Sequence, residues 1–217
     1  MVETSTSYER ARASVDKATR HFADVETIGA KDVLRLKEEG KKVLLVDVRT
    51  EQEMEVSMLR GALSRQACFL YLEDFESSNL GEWVRTGQQF QSISGEGDGA
   101  CDVVVPYCTV GYRSGQYVKK LVDLGYPSVK NSEGVVLWTH DVGSGLIAPA
   151  AATTNCEGAS SCAPQYDAGD EVKRVHVYGS PWDHAHEDYE TIKFTPKGWL
   201  GSTMRSAFSK IFGKRKS

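Results

Sequence analysis

Polar and apolar positions along this chain fall into blocks of two kinds. From Ser7 to Phe22, the residues Ala11, Val15, Ala18 and Phe22 recur at helical spacing and predict an amphipathic helix. Asp32 to Glu39 predicts a second helix, with Val33, Leu34 and Leu36 on its apolar side and Gly40 as the stop signal. Unbroken apolar runs interrupt these helical blocks. Val43-Leu44-Leu45-Val46, β-branched at both ends, has the pattern of a strand buried on both faces of a parallel sheet, and it runs into Asp47-Val48-Arg49. Val103-Val104-Val105 repeats the pattern and leads through Pro106 and Tyr107 to Cys108. Pro106 has no N–H for a ladder, so it marks the strand's end or a sheet edge. A helix is expected from near Ser114, with Tyr117, Val118, Leu121 and Val122 facing inward and Gly125 closing it. A short strand around Ser128 to Lys130 and a short helix from Gly134 to Trp138 complete the series.

Strands that alternate with helices imply an α/β domain with a mainly parallel sheet. Right-handed crossovers place the loops that follow the strands on one sheet edge, where such proteins hold their sites. Cys108 lies on one of those loops. The expected organisation is an N-terminal helical extension over residues 1–24, a domain over 25–147, and a C-terminal extension over 148–217. Gln88 to Ala100 and Pro149 to Asp170, rich in small and polar residues, read as a loop and an exposed linker.

Composition narrows the function classes. The 217 residues are 40% hydrophobic and 26% charged, ordinary globular usage. A formal net charge of −4 argues against nucleic acid as the partner, since that would favour a basic surface. The polar segment from Met1 to Asp24 lacks the apolar centre of a secretory signal, and a cytoplasmic location is expected. The five cysteines are Cys68, Cys101, Cys108, Cys156 and Cys162. Their odd number in a chain of this size does not suggest a disulfide framework. The tail beyond Lys193 is basic, and Leu200, Met204, Phe208, Ile211 and Phe212 share a helical face. Two readings stand for it: weak contact with a membrane surface or another protein, or packing on the domain.

Cys108 has the setting of a nucleophile. A thiol reacts as its thiolate. A strand-to-helix turn supplies the unpaired N–H groups and partial positive charge of a helix N-terminus, and a tight loop can aim further amides at one centre. Gly111 lets the backbone turn, Arg113 adds a cation near the rim, and Ser114 can cap the helix. Such a cysteine could take sulfur from a donor, hold it as Cys–S–S⁻, and yield it by thiol–disulfide displacement chemistry.

The run Cys108-Thr109-Val110-Gly111-Tyr112-Arg113-Ser114-Gly115 resembles the active-site loop of single-domain rhodaneses, often C-x-x-G-x-R-S. Leu44 to Glu53 resembles the family's strand ending in D-x-R with a following acidic residue, and Arg60-Gly61-Ala62 stands where P-G-A is common. Gly125-Tyr126, Val129 and Gly134 to Trp138 resemble its closing segment. The likeness runs from about Thr27 to Gly143. It implies a rhodanese-like three-layer α/β/α fold with a mainly parallel central sheet. It also implies a sulfurtransferase that moves a sulfane sulfur from a donor such as thiosulfate or a persulfide to a thiol or cyanide acceptor. Cys108 would be catalytic, Thr109, Val110, Gly111, Tyr112, Arg113 and Ser114 would bind substrate, and no cofactor or metal is implied. Asp47 and Arg49 would support neighbouring loops through charge-assisted hydrogen bonds, with Glu53 as a partner for Arg49. The segment Ser57 to Ala62 departs from the family's G-H-I-P-G-A, and the loop carries fewer cations than strong thiosulfate users have.

Rival readings are a non-catalytic module on the same fold, and a phosphatase or arsenate reductase. The latter enzymes use C-x5-R, whereas Cys108 and Arg113 enclose only four residues, a ring suited to one sulfur atom. Cys156 and Cys162 read as ordinary thiols, a resolving thiol or a redox pair; their spacing is wrong for zinc. His176, His184 and His186, among Tyr178, Trp182 and Asp183, read as a folded aromatic extension in preference to a metal site.

Overall fold

The computed structural model describes residues 6–64, 102–123, 126, 128–149, 165–166 and 169–195. Cys68, Cys101, Cys156, Cys162, Gly125, the 88–100 loop and the basic tail beyond residue 195 lie outside them, as does most of the 149–170 segment.

The first helix, α1, spans Ser7–Thr19 and continues as a 3-10 turn over Arg20–Phe22. Thr6 opens it with a capping box: its hydroxyl accepts from the Glu9 amide while the Glu9 carboxylate accepts from the Thr6 amide. All four apolar positions of the predicted stripe, Ala11, Val15, Ala18 and Phe22, are buried. Strand β1 (Thr27–Ile28) leads to α2 (Ala30–Glu38), β2 (Val43–Asp47) and α3 (Glu51–Val56), followed by β3 (Met58–Leu59) and β4 (Ala62–Ser64). After residue 101 come β5 (Val103–Tyr107), α4 (Tyr112–Asp123), β6 (Asn131–Ser132), α5 (Val135–Asp141) and β7 (Leu146–Ile147). Then follow β8 (Gln165–Tyr166), β9 (Arg174–Val177) and β10 (Glu190–Lys193).

The central sheet has the order β5-β2-β4-β8. Strand β2 runs parallel to both β5 and β4, and β8 is antiparallel to β4. Two further parallel pairs, β1 with β6 and β9 with β10, and an antiparallel pair, β3 with β7, make pairing mainly parallel throughout the described residues. The fold is thus α/β with mainly parallel pairing. Pro106 sits inside β5, opposite Val46. On the far side of β5, among the described residues, only Val104 is bridged, its amide donating to Ser128 and its carbonyl accepting from Lys130. Backbone groups two residues apart face the same way, so the missing N–H of Pro106 falls on that outer side and costs no ladder bond.

Two expectations need correction here. Val122 is 46% exposed, not inward-facing. In the last turn of α4 Leu121 is buried, and Val122, about 100° further round the helix, turns outward. Gln165 and Tyr166 are paired with Leu63 and Ala62 as β8, although they lie in a stretch that reads as an exposed linker. A two-residue strand made by a distant partner leaves no local periodicity to read.

Candidate functional site

The loops after β2 and β5 leave the sheet side by side, at the carboxyl ends of two adjacent parallel strands. The Val48 amide donates to the Tyr107 carbonyl and ties them together. Cys108 to Gly111 form the turn between β5 and α4. Three carbonyls of this turn are pinned from outside it. Those of Cys108 and Thr109 accept from the first amides of α5, Val135 (2.9 Å) and Val136 (3.2 Å). That of Gly111 accepts from the Asn131 side-chain amide at 2.9 Å. A trans peptide is planar, and its N–H points opposite to its C=O. The Thr109, Val110 and Tyr112 amides are therefore turned away from α5 and β6.

Gly134 makes this approach of α5 feasible. It has φ +100°, and a Cβ there would stand 2.6 Å from the Thr109 carbonyl oxygen. Gly134→Ala should lower stability by about 1–3 kcal/mol through positive-φ strain, and by more if the clash displaces the turn; urea denaturation measures it. Gly111, at φ +83°, is hemmed in by Thr19 and the Ser132 carbonyl in the same way.

The Cys108 thiol is 1% exposed, and the Ser114 hydroxyl lies 3.5 Å from its Sγ. Helix α4 begins at Tyr112, so Ser114 is its third residue and not its cap; the hydroxyl reaches the cysteine instead. The side chains of Val110 and Tyr112 are buried in the core, Tyr112 packing on Phe22 with ring centroids 5.4 Å apart. What residues 109–112 can offer a ligand is therefore mainly their backbone.

Arg113 is not a rim cation. It is buried, and both of its terminal nitrogens bond the Glu53 carboxylate, at 2.8 and 2.7 Å. Nη2 also lies 3.4 Å from the Thr109 hydroxyl. Glu53 is the third residue of α3 and forms a capping box with Thr50. The box aims its carboxylate back across the β2–α3 turn, into the side chain of α4's second residue. Its bonded partner is therefore Arg113, whereas Arg49 acts on it only through charge. Burial opposes the Glu53 charge, but the Arg113 cation and its hydrogen bonds hold the carboxyl well below its ordinary range. Burial likewise opposes the Arg113 charge and is overcome by Glu53, with Cys108 close enough to contribute.

Asp47 and Arg49 form a second buried pair. Arg49 bonds the Asp47 carboxylate through Nε at 2.9 Å and Nη2 at 2.6 Å, and Nη2 also donates to the Ser57 carbonyl at 2.6 Å. The pair fastens the end of β2 to the segment after α3. Burial disfavours the Arg49 cation, and Asp47 more than compensates. The Tyr107 hydroxyl accepts from the Leu59 amide at 3.1 Å, and burial pushes that phenol well above its ordinary value.

Sequence reasoning missed a contribution from the C-terminal segment. His176, on β9, is fully buried with Nδ1 3.3 Å from Oε1 of Glu53. The Tyr178 ring lies 5.4 Å from Cζ of Arg113 and 4.6 Å from the His176 ring. Burial pushes its phenol upward, and Arg113, Glu53 and Cys108 all act on it. The alternating Val175-His176-Val177-Tyr178 is a strand signal, but nothing local couples it to a helix more than a hundred residues earlier. The other two histidines are elsewhere: His186 stacks on His140 and lies near Asp188, and the His184 carbonyl contacts His140 Nε2. Among the described residues no cluster of His, Cys, Asp and Glu could hold a metal, and no helix is long and apolar enough to cross a membrane.

No curated protein sequence matches the chain. Solved structures that the chain matches include a Rhodopseudomonas palustris protein of unknown function, described as a possible tyrosine phosphatase. It is 22% identical, with 62% of this chain and 87% of that one covered and a TM-score of 0.34. A human single-domain sulfurtransferase is 20% identical over 53% of this chain and 96% of its own, with a TM-score of 0.36. A thiosulfate sulfurtransferase from Pseudomonas aeruginosa is 17% identical over 65% of this chain, with a TM-score of 0.38; this chain spans only 23% of its length. The model of the rhodanese-like domain matches residues 29–140, which include β2, α3, the cysteine turn and all but the last residue of α5. With more than half of its length so matched, the chain belongs to the rhodanese-like domain family.

Proposed function

We propose that this protein is a sulfurtransferase that carries a sulfane sulfur on Cys108. The observation that bears most weight is the pinning of the Cys108, Thr109 and Gly111 carbonyls to α5 and Asn131, which turns the intervening amides away from α5 and β6. An anionic sulfur held by those amides gains hydrogen bonds and the field of the α4 N-terminus.

The reaction is two displacements. The Cys108 thiolate attacks the outer sulfur of the donor, the donor's S–S bond breaks, and the leaving group departs with the electron pair. With thiosulfate that group is sulfite. The product is Cys–S–S⁻. An acceptor thiolate or cyanide then attacks the terminal sulfur, and Cys108 leaves as thiolate. The Ser114 hydroxyl, 3.5 Å from Sγ, can donate a hydrogen bond to the anion in both states.

Two features bear on the donor. The cation of the loop is committed to Glu53 through both terminal nitrogens, so it is poorly placed to clamp an oxyanion. The same commitment, with the four-residue spacing, speaks against phosphate or arsenate chemistry. A persulfide or polysulfide donor is expected to give a higher kcat/KM than thiosulfate in a cyanide or thiol acceptor assay. The burial of Cys108 favours a second reading, a binding module that retains the loop without turnover. Incubation with a panel of sulfur donors followed by intact and peptide mass spectrometry separates the two. A gain of about 32 Da, one sulfur atom, on Cys108 supports transfer; its absence with every donor, including a persulfide, refutes it.

A further inference from the structure

The buried contact between β9 and α3 has a chemistry that the carrier role does not itself require. His176 presents its two ring nitrogens to two acceptors. Nε2 is 2.9 Å from the backbone carbonyl of Phe194, which can only accept. Nδ1 is buried and lies 3.3 Å from Oε1 of Glu53, within ion-pair distance but without the direction of a hydrogen bond, and it has no hydrogen-bond partner among the described residues. Reversing the ring would turn carbon atoms to both acceptors and forfeit both contacts.

The proton needed at Nδ1 cannot be supplied by a protonated Glu53. That carboxylate is already surrounded by donors: Arg113 through Nη1 and Nη2, the Thr50 amide at 3.1 Å, and the Thr50 hydroxyl at 2.9 Å. Each of these contacts is made best by the ionised form, and an acid hydrogen on Glu53 would have to displace one of them. A neutral imidazole with its proton on Nε2 would aim a lone pair at a buried carboxylate. Only the doubly protonated ring offers a donor to the Phe194 carbonyl and a positive charge to the Glu53 carboxylate.

The cluster then holds two cations, Arg113 from α4 and His176 from β9, around one anion, Glu53 from α3. The other groups facing it are the Tyr178 phenol, which burial keeps neutral, and Cys108; Arg49, which acts on Glu53 through charge, is matched by Asp47. The surplus is one positive charge, and the group within its field that can balance it is the Cys108 sulfur, which already acts on both Arg113 and Tyr178.

We propose that His176, from the segment beyond the matched domain, is a positioning residue of the Cys108 site, held as an imidazolium that fixes Glu53 against Arg113 and leaves one buried positive charge facing the sulfur. This rests on the reading of Cys108 as the reacting group. It implies that the site is complete only with β9 in place.

Two measurements on the full chain test it. A long-range proton–nitrogen correlation spectrum of the histidine rings should show protons on both nitrogens of His176 at neutral pH; a single protonated nitrogen overturns the proposal, without any variant. In the second, Cys108 alkylation by iodoacetamide is followed by peptide mass spectrometry across pH in wild type and His176→Asn. The asparagine amide can still donate to Glu53 but carries no charge. The variant should react about tenfold more slowly at neutral pH, with the difference vanishing at alkaline pH. Equal profiles in a folded variant overturn the proposal. If His176→Asn does not fold, the spectrum alone decides. A shifted alkylation profile with no persulfide on Cys108 from any donor would leave this inference standing and remove the sulfurtransferase reading.

Discussion

Cys108→Ser is expected to abolish the persulfide adduct and to lower sulfur transfer about a thousandfold or more, the scale on which removing a nucleophile acts. Oxygen is nearly isosteric with sulfur but cannot be sulfurated by the same displacement, so none of the lost rate can be recovered through the same intermediate. The fold should survive. Among the described residues the replaced atom makes one polar contact, to Ser114, and a serine hydroxyl can keep it. A stability loss of about 1 kcal/mol is expected, typical of a point substitution. Mass spectrometry, a cyanide acceptor assay and a urea melt on the same preparation check the three statements. Persistent turnover with thiosulfate and with a persulfide donor would place the chemistry on another residue.

Glu53→Ala is expected to cost about 3–5 kcal/mol, the largest stability effect at this site. The substitution strips both hydrogen bonds from the buried Arg113 guanidinium and leaves an uncompensated cation in the interior. It also empties the α3 capping box. The magnitude is readable from the urea midpoint at constant m-value. The same carboxylate makes stability depend on pH in a definite direction. Burial opposes its ionisation, yet Arg113, with smaller help from His176 and Arg49, holds the folded-state pKa well below the ordinary value. A depressed folded value means that the unfolded chain binds protons first as pH falls. The contribution is complete above the ordinary glutamate range and is lost as pH drops through it towards the folded-state value. Wild type should therefore lose stability on acidification below neutrality, and Glu53→Gln should lose less over the same interval. Parallel acid limbs in the two proteins would show that Glu53 is not the group responsible.

The elements legible in the sequence are those whose burial is decided by their own periodicity. The stripe of α1, the two continuous apolar runs that became β2 and β5, and the cysteine turn between β5 and α4 are of this kind. Pro106 shows how local chemistry carries tertiary information: its missing N–H, read as a strand's end or a sheet edge, falls inside β5 on the side away from β2. Val122 and β8 were illegible because the answer lay with the neighbours, in the width of the face that α4 buries and in the pairing offered by β4.

The charges divide in the same way. The spacing of Cys108 and Arg113, the Asp47-Val48-Arg49 step and the Thr50/Glu53 cap are properties of short segments, since turns and caps are satisfied within a few residues. Which cation each carboxylate meets is not such a property. Arg113, read from sequence as a cation near the rim that would bind substrate, is buried against Glu53, and His176 approaches the same carboxylate from a strand far along the chain. A charge in the interior is retained only if another element brings its counter-charge to it. That pairing depends on how α3, α4 and β9 pack together, which periodicity and local spacing do not encode.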